Sequence, residues 1–324
     1  MEKQSLCWGL RTPPLFPSWS DLARYFCYNR VMEIGAKKSG KVLLVGRPNV
    51  GKSTFLNNVI EQKVAITSPK PQTTRFAIRA LYQDERADIV FIDTPGIFVK
   101  AQDPLAKNIN QKTFTAIHED VDVVIYMVDH TRRRDFEEAK VLGIVRKINK
   151  PKILVINKVD KQDKTFLAQY EFLKSEFTDC FEISALKRLH IRPLMDRLIE
   201  LIPHHPIEQS TEHVNPYPIM NIDSKTFISE LIREKVFIMM GEEIPYETTA
   251  VVDDIKNRSI GVTFIKARIL TSALRYKKML IGASGRKIKE IGAYARKEIE
   301  LAIGHKVFLD LTVEVDPHWQ ELYS

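Results

Sequence analysis

Four residues of fixed type stand near the start of the chain at the spacing G-x-x-x-x-G-K-[ST], a pattern that holds phosphate groups. The stretch is Gly46-Arg-Pro-Asn-Val-Gly51-Lys52-Ser53-Thr54. In such a P-loop, backbone N–H groups and a helix N-terminus surround anionic oxygens, the lysine reaches the β- and γ-phosphates, and the serine ligates Mg²⁺. An apolar strand, Lys41–Val45, precedes the loop and a helix follows to Ile60, which disfavours an ordinary glycine turn. The sequence therefore predicts a nucleoside triphosphate site, with contacts from Gly46, Asn49, Val50, Gly51, Lys52, Ser53 and Thr54.

A second apolar strand ends in a carboxylate and a turn, Asp93-Thr-Pro-Gly96. In P-loop proteins a carboxylate at this place holds Mg²⁺ through water, and the glycine N–H meets the γ-phosphate. The sequence therefore predicts Asp93 as a member of the metal site and Gly96 as a phosphate contact.

The choice of base is indicated by a third strand, which ends in Asn157-Lys158-Val159-Asp160. A carboxylate at Asp160 can accept from both N1–H and the exocyclic amine of guanine, whereas adenine offers no such pair of donors. The pattern therefore favours GTP over ATP. After the short strand from Cys180 to Ile183, the stretch Ser184-Ala185-Leu186 is expected to supply a backbone N–H to the guanine O6.

Between the P-loop and Asp93 lies the polar, proline-rich stretch Ser68-Pro-Lys-Pro-Gln-Thr73-Thr74-Arg75. A threonine in such a loop can close on Mg²⁺ and the γ-phosphate, so that the loop orders when GTP binds. Thr73 and Thr74 remain equal candidates for this ligand. The alternative is an ordinary solvated loop.

Basic residues are concentrated in the last third of the chain. Between Lys256 and Lys297 there are twelve lysines and arginines but one acid, Glu290. Inside this segment, Gly282-Ala283-Ser284-Gly285 precedes a helix that is expected to run to about Ile303. Such a G-x-x-G loop, at a helix N-terminus, clamps about four single-stranded nucleotides in KH domains. The alternative is a basic helix-turn unit without a specific ligand.

At these residues the chain resembles the Era family of GTPases over positions 41 to 324. The resemblance depends on GRPNVGKST, PQTTR, DTPG and NKVD, and on Ile232-Arg-Glu-Lys235, Ile244-Pro-Tyr246 and Ala295-Arg-Lys-Glu298. It implies a doubly wound, mostly parallel α/β P-loop domain followed by a smaller α+β type II KH domain. It also implies a GTP-switched protein that binds 16S rRNA near its 3′ end during assembly of the small (30S) ribosomal subunit.

The resemblance further implies slow GTP hydrolysis, because Ile97 stands where Ras-like enzymes have a water-orienting Gln. In relatives of this kind, the residue at Asn49 is linked to a K⁺ ion beside the phosphates. Mg²⁺ and K⁺ are therefore the expected ions, and Lys52, Asn49 and Gly96 the expected catalytic residues. Relatives usually carry a basic residue inside the G-x-x-G loop, where this chain has Ala283 and Ser284. The neighbouring Arg286, Lys287 and Lys289 are expected to compensate.

The length and composition of the chain indicate how many domains it contains. The 324 residues include 44% apolar residues, enough for two cores, and a net charge of +8 that suggests a polyanionic partner. Three cysteines without CxxC spacing support neither a disulfide framework nor a zinc site. The expected divisions are an extension over 1–36, which is either disordered or precedes a true start at Met32, a GTPase domain over 37–204, a linker over 205–218 and a KH domain over 219–324.

We expect a monomeric cytoplasmic protein, with peripheral contact at the inner membrane as a second location. Two other classes share the nucleotide motifs. A tRNA-modification GTPase would need a folate-binding domain and a C-terminal catalytic Cys, and neither is visible. A GTPase that binds anionic membrane through its basic domain is disfavoured by the G-x-x-G loop.

Overall fold

A computed structural model describes residues 37–67, 77–95, 120–161, 165–203, 223–258 and 261–323. Thr73, Thr74, Gly96 and Ile97, the extension over 1–36 and the linker over 205–218 lie outside these ranges. Within them, no helix is both long and apolar enough to cross a membrane.

The first half of the described chain is one six-stranded sheet with helices on both faces. Its elements are β1 Lys38–Val45, α1 Lys52–Ile60, β2 Ile78–Gln83, β3 Ala87–Asp93, β4 Val123–Asp129, α2 Phe136–Lys147, β5 Lys152–Asn157, α3 Glu171–Glu176, β6 Asp179–Ile183 and α4 Ile191–Leu201. The strand order is β2-β3-β1-β4-β5-β6. Only β2 is antiparallel to its neighbour; β3, β1, β4, β5 and β6 are parallel. The predicted doubly wound, mostly parallel sheet is therefore confirmed.

The central strands are apolar on both faces, because helices cover both. In β1, Val42 and Leu44 join one buried cluster and Leu43 and Val45 join another. A near-continuous apolar run is the pattern expected for a parallel strand of this kind. The carboxyl ends of β1, β3, β4 and β5 carry the loops of the candidate nucleotide site.

The second half is a three-stranded sheet with three helices. Its elements are α5 Ser224–Met239, β7 Thr248–Arg258, β8 Val262–Thr271, α6 Leu274–Ile281, α7 Arg286–Ile303 and β9 Lys306–Val315, in the strand order β7-β8-β9. β7 and β8 are antiparallel, and β8 and β9 are parallel. α5 begins where the Asp223 carboxylate accepts hydrogen bonds from the backbone N–H groups of Lys225 and Thr226.

The helix expected after the G-x-x-G loop ends at Ile303, as α7 does. Helix α6, which directly precedes the G-x-x-G loop, was not predicted. It is short, and only Tyr276 and Leu280, four residues apart, are buried from it. Its basic residues dominate the local sequence and obscure this apolar pair.

Candidate nucleotide and RNA sites

The P-loop joins β1 to α1, and its two glycines are required by close contacts. A Cβ at Gly46 would lie 2.4 Å from the Met127 carbonyl oxygen. Gly51 has a φ of +107°, and a Cβ there would lie 2.1 Å from Nδ2 of Asn157. Asn49 also has a left-handed backbone, with φ +64°. The loop is thus pressed against the ends of β4 and β5, and larger residues at Gly46 or Gly51 would displace it.

Lys52 lies over the loop that it follows. Its side chain is buried, and Nζ donates to the carbonyl oxygens of Gly46 and Arg47 at 3.2 and 3.3 Å. Burial lowers the pKa of the Lys52 ammonium, against the opposing charge of Asp93. The ammonium is therefore held by the loop where a phosphate would compensate its lost hydration.

Ser53 and Asp93 meet as the metal hypothesis requires. The Ser53 hydroxyl donates to Oδ2 of Asp93 at 2.6 Å. Asp93 is fully buried, and its Oδ1 accepts no hydrogen bond from the described residues. Burial raises the pKa of the Asp93 carboxyl, while Lys52 and Ser53 oppose that rise. A hydroxyl beside a buried carboxylate with an unused oxygen is a hard oxygen donor set that fits Mg²⁺.

Asn157 ties the phosphate loop to the base loops. Its Nδ2 donates to the Val50 carbonyl oxygen at 2.7 Å, and its Oδ1 accepts from the Ala185 N–H at 2.8 Å. Both ends of the amide are thereby engaged with protein backbone. The structure places Asn157 at the expected site as a brace between the loops.

Asp160 lies beside the next loop, where the Ser184 hydroxyl donates to its Oδ1. The Ser184 N–H donates to the Leu189 carbonyl oxygen at 3.2 Å, and the Ala185 N–H donates to Asn157. Leu186 is 65% exposed. The structure thus brings together the P-loop, Asp93, the Asn157–Asp160 turn and the Ser184–Leu186 loop.

Two residues that the sequence analysis did not identify hold Lys158, whose φ is +71°. Oδ2 of the fully buried Asp129 lies 2.5 Å from Lys158 Nζ. Nε2 of the buried His130 lies 2.9 Å from the Lys158 carbonyl oxygen, and its Nδ1 lies 3.2 Å from Thr165 Oγ1. Because a carbonyl only accepts, Nε2 carries the proton. A polar pair at the end of an otherwise apolar strand, β4, was the available signal.

The sequence also contained no sign of the role of Arg47, which occupies a variable position of the P-loop. It is fully buried, and its guanidinium lies 2.6 Å from Glu138 and 2.9 Å from Asp135, both at the start of α2. It also donates to the Tyr170 hydroxyl at 3.1 Å. The Tyr126 hydroxyl donates in turn to Glu138. This network fixes the outer side of the P-loop against α2.

The G-x-x-G loop connects α6 to α7 through three residues with positive φ: Gly282 at +70°, Ser284 at +53° and Gly285 at +74°. A Cβ at Gly282 would lie 2.7 Å from Cβ of Lys287, whereas one at Gly285 would meet nothing within 4 Å. Ala283, Ser284, Arg286 and Lys289 are exposed. The turn therefore presents its backbone to solvent at the N-terminus of α7, as the RNA-binding hypothesis expects.

More of the positive charge of the basic segment is paired with acids than the sequence suggests. Acids from elsewhere in this half pair with it: Asp254 with Lys256 at 2.6 Å, and Asp253 and Glu314 with Arg268, each at 2.7 Å. Lys287 also pairs with Glu290 at 3.1 Å. Among the described residues, the basic side chains near the loop without an ion pair are Arg275, Lys277, Lys278, Arg286, Lys289 and Lys297. The positive surface is thus centred on α6 and the start of α7.

An ion-pair cluster joins the two halves. Lys63 Nζ lies 2.6 Å from Glu234 of α5 and also contacts Glu298 of α7. Lys235 bridges the same two carboxylates, at 2.9 and 3.0 Å. The Thr67 N–H donates to Glu234 at 2.7 Å. The segment that leads from α1 towards Thr73 and Thr74 is therefore attached to α5 and α7.

Comparison with known proteins identifies both halves of the chain. A family model described as a 50S ribosome-binding GTPase matches residues 41–158, and a KH domain model matches residues 243–320. GTPase Era of Halothermothrix orenii is 36% identical over 290 residues, covering 88% of this chain and 95% of the relative. GTPase Era of Clostridioides difficile is 37% identical over 293 residues, covering 89% and 96%.

Solved structures of Era proteins are also similar to this chain over most of its length. An Era variant from Aquifex aeolicus bound to GDP·AlF4⁻ superposes with a TM-score of 0.79 at 32% identity, covering 88% of this chain and 97% of the other. Era in complex with MgGDPNP and nucleotides 1506–1542 of 16S ribosomal RNA superposes with a TM-score of 0.80 at 32% identity, covering 89% and 97%. The chain therefore belongs to the Era family of GTPases, proteins that bind and hydrolyse GTP, and it carries a C-terminal KH domain.

Proposed function

We propose that this GTPase binds the 3′ end of small-subunit (16S) rRNA through its KH domain during 30S assembly, with GTP as the switch. One observation carries the proposal: the chain aligns over 89% of its length with an Era structure that holds MgGDPNP and nucleotides 1506–1542 of 16S rRNA. The guanine-nucleotide loops and the exposed G-x-x-G turn described above are its two binding sites.

For the nucleotide, we propose that the P-loop N–H groups from Gly46 to Thr54 surround the phosphates and that Lys52 leaves the loop carbonyls to contact the β- and γ-phosphates. Asp160 accepts from N1–H and the amine of guanine. Because the N–H groups of Ser184 and Ala185 already donate within the protein, the Leu186 N–H is the donor that we assign to guanine O6. Asn157 and Lys158 hold these loops at their spacing.

For the metal, we propose that Ser53 and Asp93 hold Mg²⁺, with Thr73 or Thr74 as a further ligand and the Gly96 N–H on the γ-phosphate. Bound Mg²⁺ neutralises charge on the β- and γ-phosphate oxygens. The Asp93 oxygen that accepts no hydrogen bond from the described part of the chain supports this assignment. Asp93 thereby orients the Ser53 hydroxyl, while Lys52 stabilises the phosphates from the opposite side.

For hydrolysis, we propose that a K⁺ ion at Asn49 supplies charge that an arginine finger supplies elsewhere. Asn49 lies within the P-loop and has a left-handed backbone, which supports a place for its side chain near bound phosphates. GTP turnover is then expected to be faster in KCl than in NaCl at equal ionic strength, and Asn49→Ala should remove the difference. Equal rates in both salts for the unmodified protein would rule out the K⁺ assignment.

For RNA, we propose that the backbone from Gly282 to Gly285 approaches the sugar-phosphate chain and that Arg286, Lys287 and Lys289 contact phosphates. The basic residues of α6 and the start of α7 that form no ion pair with the described residues extend this surface. We further propose the domain limits 37–204 and 219–324 around the 205–218 linker, a monomer, and a cytoplasmic location. We also propose, as a second location, the surface of the inner membrane, which the protein would contact peripherally.

Crosslinking of the protein to RNA in cells, followed by sequencing, tests the proposal. Reads concentrated at the 3′ end of small-subunit rRNA, and lost with Gly285→Asp, would support it. Reads spread over other RNAs would contradict the assigned ligand. A parallel assay with anionic liposomes addresses the membrane alternative, which predicts binding that needs the basic residues but not the glycines.

A further inference from the structure

The KH sheet has a second face that the helices do not cover. In β8, Thr263, Ile265, Ala267 and Ile269 are buried, and the last three join the core formed with α5, α6 and α7. Side chains alternate along a strand, so the residues between them lie on the opposite face. Among the described residues of that face in β8 and β9, the exposed ones are Lys266, Lys306, Phe308, Thr312 and Glu314.

Two phenylalanines form a stacked pair on this face. Phe264 of β8 and Phe308 of β9 are direct cross-strand neighbours. Their ring centroids lie 5.5 Å apart with an angle of 12° between the ring planes. Phe308 is 59% exposed although it lies within a strand. An aromatic ring that remains in water within a paired strand, beside a parallel ring, offers a flat surface for a further stacked ring.

The charged residues around the pair are mainly basic. Lys256 lies opposite Phe264 on β7, Lys266 is two residues beyond Phe264, and Lys306 is two residues before Phe308. The acids here are Asp254, which pairs with Lys256, and Asp310, which is the cross-strand neighbour of Lys266. Among the described residues, this end of the face therefore carries three cations and two anions, and Glu300 of α7 also lies close enough to Lys306 to act on it electrostatically. At the other end of the face, by contrast, Arg268 is held between Asp253 and Glu314.

Aromatic rings interleaved with lysines are the surface on which unpaired nucleic-acid bases stack while phosphates contact the cations. A protein partner or a second copy of this chain would use the rings but would not need the lysines. We propose that Phe264 and Phe308 form a stacking platform for unpaired bases of the bound RNA, with Lys306 and Lys266 as phosphate contacts. This inference rests on the RNA-binding function proposed above.

The platform and the G-x-x-G loop lie far apart. α7 starts at the loop and runs 18 residues before β9 begins beyond it, which is roughly 27 Å at 1.5 Å per residue. Phe308 is near the start of β9, on the face away from α7. The two sites therefore contact different parts of an RNA, and a short oligonucleotide that fills the G-x-x-G site does not reach the platform.

The affinity of the protein for RNAs of two different lengths tests the proposed stacking platform. The probes are a segment of about four nucleotides from the 3′ end of small-subunit rRNA, the length that a KH domain clamps, and one of about forty that extends upstream, each with the full-length protein bound to GDPNP. Phe308→Ala should weaken binding of the long RNA by about 5- to 100-fold, the range for loss of one stacked base. Its affinity for the short RNA should stay unchanged. Phe308→Trp should keep the affinity for both.

Matched controls separate the platform from folding and from the proposed function. Phe136→Ala removes a ring that is 73% exposed in the GTPase half, and it should change neither affinity. Gly285→Asp should weaken the binding of both RNAs. If the unmodified protein binds neither RNA, the proposed RNA-binding function itself is wrong. If Phe308→Ala binds GTP normally and its affinity for the long RNA is unchanged, the proposal of a stacking platform is wrong. If that variant instead shifts the sedimentation coefficient, the face is an interface between copies and the RNA assignment is wrong.

Discussion

At the scale of single residues, the proposed selection of guanine depends on one carboxylate. Asp160 is held beside the Ser184–Leu186 loop by the Ser184 hydroxyl, and Asn157 fixes both loops to the P-loop. A carboxylate so placed can pair with the two donors of guanine, whereas adenine would leave it without partners. In this proposal, the group that recognises the base is held in place by side chains that need not contact the base.

Asp160→Asn is expected to weaken GTP binding by a factor on the order of a hundred or more and to admit xanthosine nucleotides. The amide donates where guanine also donates, whereas xanthine offers an acceptor there. Competition against a fluorescent GTP analogue measures this. Glu85→Gln, which neutralises an exposed acid in the β2–β3 turn, should leave the affinity unchanged. Equal affinity of the unmodified protein for ATP and GTP would contradict the assignment.

His130 is expected to act on the same site through Lys158. His130→Ala removes the donor that holds the Lys158 carbonyl, so the left-handed turn should loosen and GDP should dissociate faster. A lost buried hydrogen bond of about 1–2 kcal/mol corresponds to a factor of about 5 to 30. Stopped-flow release of a fluorescent GDP analogue measures the rate, and His130→Gln, which retains an N–H donor, should recover part of it. Unchanged release in His130→Ala would show that Asp129 alone is sufficient.

At the scale of elements, the G-x-x-G turn is shaped by left-handed residues between α6 and α7. Gly285 is the better of its two glycines to substitute, because a Cβ there meets nothing within 4 Å, whereas one at Gly282 would collide with Lys287. Asp also tolerates the left-handed region better than most residues. A substitution at Gly285 therefore changes the exposed surface of the loop more than its fold.

Gly285→Asp is expected to abolish most RNA binding, since it places a negative side chain where phosphate must approach, while GTP binding is retained. Ala283→Lys, which restores a basic residue inside the loop, should tighten RNA binding. Arg286→Ala should lower affinity evenly across RNA sequences and reduce the salt dependence by about one unit of slope or less. Filter binding over a salt series measures all three. If neither loop variant alters RNA affinity, the turn has no role in binding.

The elements differed in how far the sequence could predict them. The P-loop, the Asp93 turn, the Asn157–Asp160 turn and the strands were predicted because their information is local: fixed residue types at short spacing, or a periodic apolar pattern. The Arg47–Glu138 pair, the His130 contact and the Lys63 cluster were not. Each joins residues at least 28 positions apart, so only the packed fold reveals it. Helix α6 was missed because its buried face consists of two residues.

At the scale of the whole molecule, the two halves are joined by the cluster of Lys63, Glu234, Lys235 and Glu298. Ile66 extends the contact, since it is buried within the apolar core of the KH half. Burial alone would raise the pKa of the Glu298 carboxyl, but hydrogen bonds from Lys63 and Lys235 outweigh it and hold the pKa below its usual value. A carboxylate of this kind stabilises the folded state above its unfolded pKa, and that stabilisation is lost as pH falls through the folded pKa.

The free energy of unfolding is therefore expected to decrease below about pH 4.3, the ordinary glutamate value, in part through this cluster. Lys63→Met should make that part of the pH dependence smaller, because Glu298 then loses one of its two cations. Lys150→Met, which breaks an exposed pair with Asp120, is the control. Urea unfolding at several pH values measures both. Parallel pH profiles for Lys63→Met and the unmodified protein would show that the cluster does not contribute.

Lys63 lies on the segment that leads from α1 towards Thr73 and Thr74, and its partners lie on α5 and on the helix that begins at the G-x-x-G loop. We expect nucleotide state and RNA binding to be coupled in one molecule. The most direct test is the affinity of the full-length protein for the 3′ end of small-subunit rRNA with GDPNP and with GDP. Binding should be tighter with GDPNP, and that binding should be lost in Gly285→Asp. Equal RNA affinity in the two nucleotide states would contradict this coupling.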